Sequence, residues 1–143
     1  MKLSTSITIN ESIEKVWDIF MDESKMKLWM SHLENFETIK GQPGKVGSQF
    51  KVKFNENGRE TIFLEKVTAV KPNELYAFKM IHNALESDVE VRLTTKNGQT
   101  QLSQLVDMKA KKLSWKFLLP LMKGQMIKRQ NQDLQKLKAL IEH

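Results

Sequence analysis

Between Leu33 and Lys109 the chain alternates apolar and polar residues with a period of two. Turn-forming residues punctuate this stretch at Gly41 to Gly47, Asn57-Gly58, Pro72-Asn73 and Asn97-Gly98. Successive side chains of a strand point to opposite faces, so Phe50, Val52 and Phe54 share one face while Gln49, Lys51 and Lys53 share the other. Val89, Val91 and Leu93 against Asp88, Glu90 and Arg92 repeat the pattern. A strand greasy on one side only belongs to an antiparallel sheet covered on one face, because parallel strands are apolar on both. Apolar parity slips from Ile62 and Leu64 to Val67 and Ala69, which predicts a bulge near Glu65-Lys66 that bends the sheet.

The flanking segments supply the cover for the greasy face. Ser4 to Ile9 alternates as a first strand. Asn10 or Ser12 then caps a helix from about Ser12 to Met21, with Ile13, Val16, Trp17 and Phe20 at helical spacing. Asp22-Glu23-Ser24 starts a second short helix carrying Met26 and Trp29. Helical spacing returns at Leu113, and Pro120 must either begin the main helix or kink it. From Pro120 to about Glu142 the helix measures roughly 33 Å, enough to cross a concave sheet. These elements predict one α+β domain over residues 1–143. Its curved antiparallel sheet has about seven strands, with two short helices and a long C-terminal helix over the concave face.

Composition narrows the chemistry. The chain has no cysteine, which removes disulfides, thiolate metal sites and thiol nucleophiles together. No apolar run approaches the roughly 20 residues of a bilayer span, and Met1 to Ile7 is no signal peptide, so a cytoplasmic protein without stable membrane insertion is expected. The net charge of +6 is spread along the chain, which favours solubilising lysines over a polyanion partner, and no nucleic-acid-binding module is recognisable. Lys109, Lys111, Lys112 and Lys116 flank Trp115, Phe117 and Leu118. Such a segment suits an anionic membrane surface. The reading preferred from sequence is that its apolar residues begin the packed helix while the lysines stay in water, since the same periodicity continues into the buried stripe.

Ser12-Ile13-Glu14-Lys15-Val16-Trp17 after the first strand, Trp29, Gly44 and Gly47 before Phe50, Val67 through Pro72 to Leu75, and the tail from Asp133 to Glu142 resemble the START-like (SRPBCC) superfamily. That grouping includes the birch-pollen-allergen type, the polyketide cyclase and dehydrase type and the lipid-transfer domains. The resemblance implies a helix-grip fold whose elongated cavity, between sheet and terminal helix, takes hydrophobic ligands. It also implies that a minority of members are enzymes of aromatic polyketide cyclisation and that others act as chaperone partners. No catalytic motif of the cyclases matches residue by residue, and fold does not fix function.

At about 100° per residue, Leu119, Met122, Met126, Leu134, Leu137 and Ile141 form one stripe of the terminal helix, with Gln130 inside it and Asp133 at its edge. A buried amide needs a partner, either a strand residue such as Gln104 or a ligand. Phe50, Phe54, Tyr76, Phe78, Val91, Met122, Met126 and Gln130 are therefore the expected ligand-lining residues, with the Tyr76 hydroxyl as a polar handle. Met26, Met30, Met80 and Met108 add flexible side chains that fill cores or adapt to varied ligands. His32, His82 and His143 lie at no ligand spacing, so no metal site is expected, and a carrier needs no cofactor. Acid-base work would fall to His82, Asp107 or Tyr76. Gly41 to Gly47 lacks the strand-to-helix setting of a phosphate loop. The expected function is binding or carrying a small hydrophobic molecule. A cyclase-like enzyme and a chaperone-activator-like interaction module are the alternatives.

Overall fold

The computed structural model describes residues 1–143. Strand β1 (Lys2–Ile9) leads into helix α1 (Ile13–Phe20), a 3-10 turn (Glu23–Lys25) and helix α2 (Met26–Trp29). Strands β2 (Leu33–Lys40), β3 (Gln49–Glu56), β4 (Arg59–Lys71), β5 (Leu75–Ile81), β6 (Leu85–Lys96) and β7 (Gln99–Ala110) follow, and helix α3 (Leu113–Ile141) ends the chain. All neighbours pair antiparallel in the order β1-β7-β6-β5-β4-β3-β2, so the two edges are β1 and β2, and α1 and α2 carry the chain from one to the other. This is the helix-grip arrangement.

Local chemistry explains the punctuation. Ser12 caps α1 by accepting from the Lys15 N–H, and Asp22 caps the 3-10 turn by accepting from the Ser24 N–H. Asn57-Gly58 and Asn97-Gly98 both hold positive φ at two successive residues (55° and 87°, 53° and 77°). That combination gives a tight hairpin whose twist matches its strands.

The bulge is two or three residues later than its predicted place. Register shifts between Val67 and Ala69, so Glu65 stays in phase with Phe63 and faces inward, while Ile62 and Leu64 face out. The sequence reading missed this because it took the apolar pair Ile62 and Leu64 for the inner face. Directly opposed residues share a face, so the register traces the concave surface from Leu3 and Thr5 through Gln104, Val91, Tyr76 and Phe78 to Val67, Phe63 and Val52.

Helix α3 does not start at Pro120. It begins at Leu113 and runs through the proline, which forfeits one backbone bond inside the helix. It packs on β1 and β7 and against α1 and α2, and makes no comparable contact with β3, β4 or β5. Leu134, Leu137 and Ile141 are buried beside Ile9 and Leu102. Each such side chain contributes roughly 1.5–3 kcal/mol, so the C-terminal half of the helix anchors this layer.

Candidate functional site

Because α3 lies toward the β1 and β7 edge, the inner face of β3, β4 and β5 is only partly covered. Phe54, Phe63, Phe78 and Met80 belong to that face by register, yet each is only half-buried, as are Met126 and Ile127 on the helix above. The result is an apolar cleft between the middle of α3 and the β3–β5 half of the sheet. Arg129 on α3 spans it, pairing with Glu56 at the tip of β3 at 3.0 Å. Asp133 accepts from the Ser31 N–H at 3.2 Å and from the Ser31 hydroxyl, tying the helix to the loop after α2.

At the back of this half-sheet lies a polar pair. Glu65 is 7% exposed and Tyr76 is 8% exposed, and the Tyr76 hydroxyl donates to Glu65 Oε2 at 2.9 Å. Burial pushes the Glu65 carboxyl up to about 7; the Tyr76 hydrogen bond opposes that and the nearby Glu23 charge adds to it. Burial, and then the Glu65 charge, push the Tyr76 phenol well above its ordinary range. Tyr76 also meets Phe78 at 5.2 Å and the edge of Phe20 at 6.1 Å, and Phe20 in turn meets Trp29 at 5.9 Å. The buried Trp29 Nε1 has no hydrogen-bond partner.

The expected lining residues divide into three groups. Phe54, Phe78 and Met126 border the cleft, and Tyr76 lies at its back. Phe50 and Val91 face inward but are 1% and 2% exposed, so they form the wall behind it; Phe50 stacks on Phe36 at 4.8 Å. Gln130 is paired, its Oε1 accepting from the Thr5 hydroxyl at 3.3 Å, and the strand partner is Thr5 rather than the adjacent Gln104. Met122 joins neither apolar cluster, because it sits about 80° round the helix from Gln130, at the edge of the stripe.

Of the acid-base candidates, His82 reaches the cleft rim in the β5–β6 turn. Its ring lies 5.4 Å from Phe63 and its Nδ1 accepts from the Ala84 N–H. Asp107 does not reach the cleft. It shares a face with Lys2 and Asp88, on the convex side, and lies 3.7 Å from the N-terminal ammonium. Sequence reasoning passed over Glu65, whose signal was its two-residue spacing from Phe63 and Val67 on one strand face. No three histidine or carboxylate side chains converge as metal ligands.

A surface concavity of about 710 Å³ lies along α3 around Gly124, Lys128, Asn131 and Gln135. Ile127 is its one apolar lining residue, so it offers little to a hydrophobic molecule. A second recess of about 390 Å³ lies between Met1, Met108, Leu119 and Pro120.

The family model described as "Polyketide cyclase / dehydrase and lipid transport" matches residues 1–142. The chain belongs to that family. Solved structures place this cyclase and lipid-transport family member among proteins of one fold. The crystal structure of Ara h 8.0201 is 19% identical, covering 99% of this chain and 97% of that one, with a TM-score of 0.77. The Zhui aromatase/cyclase from a Streptomyces species is 14% identical over 99% and 93% of the two chains, with a TM-score of 0.82. TTHA0849 from Thermus thermophilus is 12% identical over 99% and 97%, with a TM-score of 0.80. No curated protein matches the sequence. At such identities the likeness concerns the fold, and the cleft has to be read from its own residues.

Proposed function

We propose that this family member binds a small, largely apolar molecule in the cleft between α3 and the inner face of β3, β4 and β5. One observation carries the reading: side chains on the inner face of the sheet, Phe54, Phe63, Phe78 and Met80, are only partly buried beside Met126. Apolar groups that line a concavity and still meet water gain about 25 cal/mol for each Å² a ligand covers. Glu65, Tyr76 and the unpartnered Trp29 N–H offer polar contacts at the back that orient a hydroxyl or carbonyl group. Phe50 and Val91 shape the rear wall, and Gln130 holds the helix to β1 through Thr5. Family membership supports the class of ligand.

The test is native mass spectrometry of protein isolated from its own host with solvent extraction of any adduct, together with titration of the neutral dye Nile red. A lipophilic adduct is expected, and Met126→Trp should lower dye affinity by about tenfold while leaving the thermal midpoint near wild type. Unchanged dye binding in Met126→Trp would place the ligand elsewhere and sink the reading.

A cyclase-like reading has one observation in its favour. A carboxyl titrating near neutrality beside a phenol is suited to exchanging a proton with a bound substrate. Under it, Glu65→Gln would abolish turnover of a bound polyketide-like compound while leaving Nile red binding intact.

A further inference from the structure

The first turns of α3 contradict the expectation that their apolar residues are packed. Trp115 and Leu119 do turn inward against Ala84 and Leu85. Leu113, Phe117 and Leu121, at successive four-residue steps, lie on the opposite side and are 69%, 71% and 83% exposed, with Leu118 beside them at 44%. The segment is apolar on both sides, and the core covers only one. The bare stripe runs about 12 Å along the helix.

The charge around it is of one sign. Between Asp107 and Asp133 there is no acidic residue, while Lys109, Lys111, Lys112, Lys116, Lys123, Lys128 and Arg129 contribute seven cations. Only Arg129 is in an ion pair; the lysines have none. A second copy docked on this stripe would bring six unpaired lysines against six more.

We infer that the N-terminal turns of α3 form a peripheral docking surface for an anionic phospholipid bilayer. Leu113, Phe117 and Leu121 enter the interface and the surrounding lysines meet the headgroups. The binding is peripheral, since no helix is long and apolar enough to cross a membrane. Apolar burial and attraction to anionic lipid act together in such helices, and each lysine near the surface multiplies partitioning by about fivefold at low ionic strength. This surface faces away from the cleft and stands independently of the ligand-binding reading.

Sedimentation with vesicles of phosphatidylcholine containing about a third phosphatidylglycerol, against phosphatidylcholine alone, tests it directly. The wild-type chain should bind the anionic vesicles and lose that binding as salt rises past about 0.5 M. The double variant Phe117→Ser with Leu121→Ser and, separately, Lys116→Glu with Lys123→Glu should each lower partitioning by about tenfold or more. Both variants change exposed residues, so wild-type circular dichroism and Nile red binding are expected. Failure of wild type to sediment with anionic vesicles would overturn the inference. So would equal sedimentation of wild type and the Phe117/Leu121 variant, or a solution dimer by light scattering that this variant dissolves.

Discussion

The Tyr76 hydroxyl donates to Glu65 Oε2 at 2.9 Å across neighbouring strands, behind an apolar cleft and away from any cation within pairing distance. A carboxylate held by one phenol and no positive charge is costly to bury, so the neutral acid is favoured.

Stability should therefore fall as pH rises. The Glu65 carboxyl moves from 4.5 to about 7 on folding. Its contribution is fully present below about 4.5 and is lost as pH climbs through about 7, amounting to about 3 kcal/mol at alkaline pH. Asp22 and Glu34 have lowered carboxyls, through hydrogen bonds from Ser24 and Lys53 respectively, and act at more acidic pH with the opposite sign. Urea unfolding at pH 5 and pH 8 should show the loss in wild type, and Glu65→Gln should flatten it.

Tyr76→Phe should raise the Glu65 pKa above its wild-type value, because the hydrogen bond that favours the carboxylate is gone. Carbon-detected NMR titration of the glutamate side chains reads this shift. The stability cost, about 1–2 kcal/mol, should be larger at pH 8 than at pH 5, where the acid is neutral.

The buried stripe of α3 and the cleft wall on β4 should respond differently to truncation. Leu137 is fully buried, so Leu137→Ala is expected to cost about 2–5 kcal/mol in chemical denaturation. Phe63→Ala, on the half-buried cleft wall, should cost less and weaken Nile red binding more. Equal stability losses with equal dye binding would mean that the cleft wall is ordinary core.

Thr5 and Gln130 form a pair that a double-mutant cycle can isolate. Gln130→Leu leaves the buried Thr5 hydroxyl without its partner and should cost about 1–2 kcal/mol. Adding Thr5→Val should recover most of that loss, with a coupling above about 0.5 kcal/mol in urea unfolding.

What the sequence determined by itself was whatever local periodicity and turn chemistry specify. The alternation of Phe50, Val52 and Phe54, or of Val89, Val91 and Leu93, requires a one-sided antiparallel sheet. The Asn-Gly pairs close its hairpins, and the Leu134, Leu137 and Ile141 stripe requires a helix against it. Ligand-site residues on those same faces, such as Phe54 and Phe78, were legible for that reason. Tertiary structure alone decided the rest. The bulge falls beyond Val67, so Glu65 keeps the phase of Phe63 and faces inward, and that placement gives it Tyr76 as partner and a raised pKa. The offset of α3 toward β1 opened the cleft, and the fit of Leu119 against Ala84 and Leu85 left Phe117 and Leu121 bare. Periodicity fixes which residues share a face, but whether a face is covered depends on where a distant element comes to rest.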